Sequence, residues 1–478
     1  MEEVDEELAG IMGYEASEAR FHAGVIAMGR GDWPDAAEEF GAALTLRPDF
    51  GEAAANLGYV CEQLARPADA EAFYRQAIAV RPEIAEIHTN FAALLLAQRR
   101  LDEAEAAYRT SLVLQPDSPV AWSNLGVLLA CRKQESEAEV SYQTALALDP
   151  DYRLAAFNYA YLLLRQGRWR EGWARLEARQ WYDCLDGGLS CPRWRGESLE
   201  GRRLLIGFEA GLGDMIQFAR YAGVLRQRGA SRVGIVCHPP LKRLFASLTG
   251  VDVVVAFDED LPDADWDYWS PPLSLPHHCA TQLETIPAVL PYLFADPTAV
   301  AQWAERLSGV SLPDSHRSPR RVGLVWRGSA RFENDGERSL PGVATLAPLF
   351  AVRGIRFISL QQGAAENEAA APPSGVILEQ YADLLTDMAE TAALVANLDL
   401  VISVDTAVAH LAGALGKACW ILLPDYKTDW RWLTGRDDSP WYPGVVRLFR
   451  QASGGDWSAV IPAVRNALVA WLADARER

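Results

Sequence analysis

From Ser17 onward the apolar positions of the chain recur at a fixed interval, in units of 34 residues running from 17 to 50, 51 to 84, 85 to 118 and 119 to 152, with a degenerate fifth unit from Arg153. Each unit reads as two helices. The first carries small and leucine-like residues ("NLGYV", "NFAAL", "NLGVL"). The second has a small residue (Ala36, Ala70, Ala104, Ala138), an aromatic four positions later (Phe40, Tyr74, Tyr108, Tyr142), and a proline closes the unit (Pro48, Pro82, Pro116, Pro150). Small residues let two helices approach, the aromatic fills the gap and the proline stops the second helix, so the pattern predicts an α solenoid with a concave face. After Arg202 the rhythm changes to short apolar runs alternating with helical patterns: "RLLIGFEA", "RVGIVCH", "VDVVVAF", then "RVGLVWRG", "IRFISLQ", "LDLVISVD" and "ACWILLP". Such runs predict parallel α/β sheets. A softer stretch near 307 to 320 divides them into two sets, which reads as two Rossmann-like lobes facing one another across a cleft.

The resulting division is an N-terminal segment 1–16, four repeats over 17–152, a degenerate fifth repeat with a cap or linker over 153–200, a first lobe over 201–315 and a second over 316–478. The stretch 165 to 200 breaks the period and brings Trp169, Trp173, Trp181 and Trp194, then Gly and Pro. A solenoid must cover its last apolar face, so these tryptophans are expected to pack as a cap rather than bind a ligand.

Composition narrows the class of partner. The net charge is −19; residues 1 to 180 hold 29 acidic and 17 basic side chains, which puts −12 of it in the first part and −7 in the remainder. That argues against a general nucleic-acid binder, whose affinity rests on a basic face. No segment approaches the roughly 18 uninterrupted apolar residues of a membrane span, and the start "MEEVDEEL" is acidic where a signal peptide is basic, so a soluble cytoplasmic protein is expected. The seven cysteines are scattered and read as reduced packing residues.

A polar residue recurs on the first helix of the repeats: Asn56, Asn90, Asn124 and Asn158 stand 34 residues apart, with His22 in the first unit's slot. An amide both donates to and accepts from a peptide backbone, which suits an extended polypeptide. The alternative is that asparagine at this slot simply supports the helix pair.

Two stretches of the second half suit chemistry. In "GFEAGLGDMIQFARY", 207 to 221, a strand ends, Gly211 and Gly213 permit a tight turn and close backbone approach, and a helix opens at Asp214. The third glycine of a dinucleotide fingerprint is missing, which argues against a nicotinamide or flavin. A carboxylate there lies where ligands bind in open sheets; equally, Asp214 with Gln217 would form a helix capping box. In "LVISVDTAVAHLAGALG", 400 to 416, Asp405 and Thr406 precede an Ala-rich helix carrying His410, and amides at such a helix start can hold phosphate oxygens. The spacing "DADWDYW", 263 to 269, reads as a loop rather than a metal site, and His277 and His278 as structural or acceptor contacts.

The repeats, by their period and their small, aromatic and proline slots, resemble the tetratricopeptide repeat family, in which the asparagine slot faces the concave groove. Residues 202 to 450 resemble GT-B glycosyltransferases of the heptosyltransferase type, on the Gly-Leu-Gly-Asp loop, the Asp-Thr-x-x-x-His helix start, "VGLVWRGSARFENDGERSLP" and "DWRWLTGRDDSPWYP". The whole is similar to bacterial proteins that join the two, some of which act as flagellin glycosyltransferases. What the resemblance implies is a tetratricopeptide superhelix followed by an α/β GT-B fold whose first lobe takes the acceptor and whose second takes a nucleotide sugar. By position Asp214 matches the general base, with Gly211 and Gly213 on the acceptor side; Asp405, Thr406, Ala407 and His410 match the donor-phosphate segment. Heptosyltransferases usually have glycine where this chain has Ala407, which bears on how closely a diphosphate approaches the backbone.

The implied reaction is an inverting transfer, with no metal or other cofactor, to a protein hydroxyl of Ser or Thr held by the solenoid. The leaving phosphate would then depend on the helix start and on cations drawn from Arg327, Arg331, Arg338 and Arg431, of which Arg327 beside Gly328 at a strand end is the first choice. A catalytically silent scaffold, or a transferase for a lipid-linked or polysaccharide acceptor, stays open, as do UDP-, ADP- and CMP-linked donors.

Overall fold

The computed structural model describes residues 2–180, 189–260, 265–308, 319–452 and 454–477, without the side chains of 2–11, 364 and 475–477. Trp181, Cys184, Asp263 and most of the softer stretch between the lobes therefore lie outside the described residues. The chain divides into two compact units, one ending at Leu162 and the other beginning at Leu163.

The first unit is helical: α1 (Glu2–Gly29), α2 (Trp33–Leu46), α3 (Gly51–Gln63), α4 (Pro67–Val80), α5 (Ala85–Ala97), α6 (Leu101–Leu114), α7 (Pro119–Cys131), α8 (Glu135–Leu148) and the first part of α9 (Arg153–Arg165). The segment 1–16, set apart in the sequence, joins the first repeat helix in one continuous α1. Helices pair within each unit as the 34-residue pattern predicts. Ala36, Ala70, Ala104 and Ala138 have no exposed surface, and the rings of Phe40, Tyr74, Tyr108 and Tyr142 are buried with them. The approach is close enough to demand glycine in places: a Cβ on Gly58 would lie 2.9 Å from the Tyr74 ring, and one on Gly126 2.7 Å from Tyr142. The third repeat carries Ala92 in that slot, so its helix pair accommodates one methyl more. Ion pairs link charged residues 29 positions apart on the outside, as in Arg47 with Glu18 (2.8 Å) and Arg100 with Glu71 (2.6 Å).

The second unit opens with the end of α9 and with α10 (Trp169–Leu176). Two parallel sheets follow. The first takes the order β3-β2-β1-β4, from β1 (Arg203–Ile206), β2 (Arg232–Cys237), β3 (Val253–Ala256) and β4 (Tyr268–Ser270). The second takes the order β10-β9-β8-β5-β6-β7, from β5 (Arg320–Val325), β6 (Ile355–Ser359), β7 (Leu378–Gln380), β8 (Leu400–Val404), β9 (Cys419–Leu423) and β10 (Val446–Arg450). β8 and β9 are buried along their whole length, which explains sequences apolar at every position but Ser403: helices cover both faces of a parallel sheet. The helix Val460–Glu477 contributes Val460, Ile461, Val464 and Leu468 to the core beside β5 and β8.

Trp169, Trp173 and Trp194, the described tryptophans of the interrupted stretch, do pack, within the second unit. Trp169 stacks on Trp441 with centroids 5.3 Å apart, and Trp173 meets Trp430 edge-on at 5.2 Å while its indole N–H donates to the Thr281 carbonyl at 3.0 Å. The physical reason is complementarity: "WREGW" and "DWRW…PWYP" each expose large aromatic surface that the other buries. Trp194 is buried too, its indole N–H donating to the Glu197 carbonyl.

Candidate active site

The site is built where β1 and β8, both interior strands, run out into helices. After β1 the chain passes Ala210, which takes a positive φ of 57°, and enters the helix Leu212–Ala219. The sequence places that turn at the glycines; instead Gly211 is extended backbone before the helix, and the helix opens two residues before Asp214. Asp214 caps it alone, its Oδ2 accepting from the Gly211 amide at 2.9 Å. Gln217 takes no part in a capping box; it is fully buried, and its Oε1 accepts from Arg431 Nε at 2.6 Å. Gly213 is needed for a close approach of protein to protein: a Cβ there would lie 2.9 Å from the His410 ring. The helix Leu212–Ala219 thus packs on the helix Ala407–Ala414 that follows β8, and the two lobes meet at two helix starts.

On the second lobe Thr406 precedes that helix without capping it, because its hydroxyl pairs with Ser403 Oγ at 3.0 Å. Asp405 Oδ2 accepts from the Trp432 indole N–H at 2.9 Å, and its carbonyl accepts from Arg338 at 3.1 Å. Burial first, and Asp429 second, push the Asp405 carboxyl up to about 6. His410 is held well below its usual value by burial, then by Arg431 and Arg220, so its imidazole is neutral; Nδ1 bonds Tyr442 Oη at 2.8 Å and the ring stacks on Trp432.

Adjacent residues reach the two candidate carboxylates. Arg431 engages Asp214 of the first lobe, and Trp432 engages Asp405 of the second. Arg431 also donates to Asp429 Oδ2 at 2.8 Å and lies over the Phe218 and Trp430 rings. Arg220 makes a second buried tie, donating to the Trp441 carbonyl at 2.7 Å, the Gln217 carbonyl at 2.8 Å and Tyr292 Oη at 3.0 Å. Behind the loop, Glu209 accepts from Arg179 at 2.5 and 3.1 Å with neither side chain exposed. Burial pushes the Glu209 carboxyl up while Glu209 helps keep Arg179 charged; the two-pronged contact argues for the ionised pair.

The structure therefore brings Asp214, Gly213, Asp405, Thr406, Ala407 and His410 together. Arg327 turns elsewhere, pairing with Glu368 at 2.8 Å and donating to the Pro341 carbonyl. Gly328 touches the site only through Ser339 and Arg338. Arg431 is joined to the Asp214 carboxylate, and Arg338 donates to the Asp405 main-chain carbonyl. Asp267 ties the β1 edge by accepting from the Arg203 amide at 2.8 Å. His278, held down to about 4 by burial, packs edge-on against Trp194. In the first unit, Asn56, Asn90, Asn124 and Asn158 are half-buried, and none of their amides has a hydrogen-bond partner among the described residues.

Comparison with known proteins falls into the same two parts. A family model described as tetratricopeptide repeat matches residues 21–83 and 89–140, and one described as glycosyltransferase family 9 (heptosyltransferase) matches residues 355–419. The latter spans Asp405 to His410 and stops short of Asp214 and Arg431. The chain is 28% identical over 337 residues to protein FlbA of Caulobacter vibrioides, covering 65% of this chain and 54% of that protein, so it spans about half the length of that relative. Among solved structures it is similar to PilF of Pseudomonas aeruginosa (22% identity, 45% of this chain and 86% of that one, TM-score 0.34). A thermophilic tetratricopeptide repeat protein of Thermus thermophilus gives 22% identity, 34% and 90% coverage and a TM-score of 0.32. No described helix is long and apolar enough to cross a membrane.

Proposed function

We propose that this chain, which joins tetratricopeptide repeats to a heptosyltransferase-type domain of glycosyltransferase family 9, is a glycosyltransferase that moves a sugar from a nucleotide-sugar donor to a polypeptide hydroxyl with inversion. The observation that carries this reading is the pairing of Asp214 and Asp405 with the neighbours Arg431 and Trp432, at the carboxyl ends of strands from both sheets. Ligands of open α/β sheets bind in that position.

In this reading Asp214 accepts the proton of the acceptor hydroxyl as it attacks the sugar carbon from the face opposite the nucleotide. Help of this kind is typically worth about 10²- to 10⁴-fold. The leaving diphosphate is met by the uncapped start of the helix at Thr406 and by Arg338 and Arg431, whose guanidinium forks match phosphate oxygens. Neutral His410 shapes the donor floor without adding charge. The solenoid holds an extended acceptor segment, for which four unpartnered amides on one repeating slot offer backbone donors and acceptors. Ser or Thr is the acceptor residue, flagellin the class of acceptor the sequence resemblance suggests, the donor chemistry uses no metal, and the compartment is the cytoplasm.

The test is thermal unfolding of the full chain with a panel of nucleotides and nucleotide sugars, beside Asp405→Ala. A ligand at 100 times its dissociation constant stabilises the folded form by about 2.7 kcal/mol. The expected result is an upward shift with one nucleotide class that disappears in the variant; no shift with any member of the panel would sink the donor site.

A further inference from the structure

Each oxygen of the proposed base is engaged by another part of the chain. Asp214 Oδ2 takes the Gly211 amide at 2.9 Å, and Oδ1 takes the guanidinium of Arg431. Both oxygens that could receive an acceptor hydroxyl's proton are thus already engaged by protein donors. Arg431 for its part is 7% exposed and donates to Asp214, Asp429 and Gln217. The next residue is fixed on the donor side, because Trp432 is anchored on Asp405 at 2.9 Å. The guanidinium therefore stands where the two lobes meet, one residue from the donor-side anchor. The present arrangement also leaves a polar group unsatisfied: Gln217 Nε2 is buried with no partner while its Oε1 serves Arg431.

We propose that Arg431 is an exchangeable counterion: the guanidinium that engages Asp214 passes to the donor's diphosphate when a nucleotide sugar binds, releasing Asp214 to act as base only then. This rests on the reading of Asp214 and Asp405 given above. A diphosphate brings more charge and more acceptor oxygens than one carboxylate, so it outcompetes Asp214 for the guanidinium fork. The exchange makes donor binding precede base activation and places the cation at the bond that breaks. Arg431 thus touches the leaving group in the loaded state and acts on the base by its departure.

A double-mutant cycle on nucleotide binding tests it, with UDP and ADP as probes, read by calorimetry on the full chain. Removing the competitor with Asp214→Asn, which keeps a side-chain oxygen able to accept from the Gly211 amide, should tighten binding about fivefold in the wild-type background. In the Arg431→Gln background the same change should alter affinity by less than about twofold. Equal tightening in both backgrounds would mean that Asp214 merely repels phosphate, and no tightening in either would mean that Arg431 never leaves it; both overturn the exchange. Binding of neither probe to the wild type, at any concentration reached, removes the donor site itself and the exchange with it. Should Arg431→Gln lose its cooperative melt, Arg431→Lys replaces it. Lysine keeps the charge without the fork, so the Asp214 effect should fall below about threefold, and an undiminished effect again overturns the exchange.

Discussion

Arg100 and Glu71 pair on the solenoid with 30% and 15% of their side chains exposed, whereas Arg179 and Glu209 pair in the second unit with none. The contrast extends through both regions. The solenoid core is alanine against aromatic ring, repeated, and its charges stay outside where water screens them. The second unit puts guanidinium groups inside it: Arg179 behind the Asp214 loop, Arg220 and Arg431 between the lobes, Arg356 on Glu379. A repeated contact can be lost from one unit and remain in the next, whereas a buried ion pair has no substitute elsewhere. The solenoid is therefore stabilised by redundancy and the second unit by particular pairs, which also fix where its catalytic candidates stand.

Three variants would break or sharpen that contrast. The largest effect is expected from Glu209→Ala, which leaves the Arg179 charge buried and uncompensated; breaking such a pair costs about 3–5 kcal/mol. Denaturant unfolding should show it as an early transition of the second unit with the solenoid's unfolding in place, and a loss under about 1 kcal/mol would show the pair to be dispensable. Next is Asp405→Asn, read against pH. The carboxyl sits at about 6 in the fold and at an ordinary carboxylate value when unfolded, so the folded state binds its proton more tightly. Its stabilising contribution is thus full below about pH 4 and is lost as pH rises through 6, a change of about 2–3 kcal/mol on the scale of 1.36 kcal/mol per unit. The wild type should lose stability over that window relative to Asp405→Asn, and parallel pH curves would contradict the assignment. The smallest is the double change Asn90→Ala with Asn124→Ala. With no partners to lose, stability should move by less than about 0.5 kcal/mol while binding of an acceptor polypeptide weakens. Unchanged acceptor affinity would leave those amides a purely structural role.

The same contrast explains what could be read in advance. The solenoid was legible because Ala36, Phe40 and Pro48 make one local contact whose recurrence at 34 residues reveals it four times over. The strands were legible because burial on both faces leaves short apolar runs such as "CWILL". Asp214, Asp405, Thr406 and His410 could be picked out because strand-end carboxylates and small-residue helix starts are local signals. Arg431 could not be preferred over Arg327 on local grounds, since both follow a tryptophan. The choice depends on which loop folds against the opposite lobe, 217 residues away from Asp214. Glu209 and Arg179, likewise, carry no mark of each other in the sequence.

The change of allegiance at Leu163, inside α9, bears on how such a chain can be shuffled during descent. A recombination that adds or deletes one 34-residue unit upstream of α9 leaves Trp169 and Trp173 stacked on Trp441 and Trp430, so the length of the solenoid is free to drift. A crossover at the apparent motif boundary near Gly201 would instead deliver a two-sheet domain stripped of those two indoles, with a hole where they stood. The inheritable cassette is therefore longer than its signature motifs, and it begins halfway through a repeat.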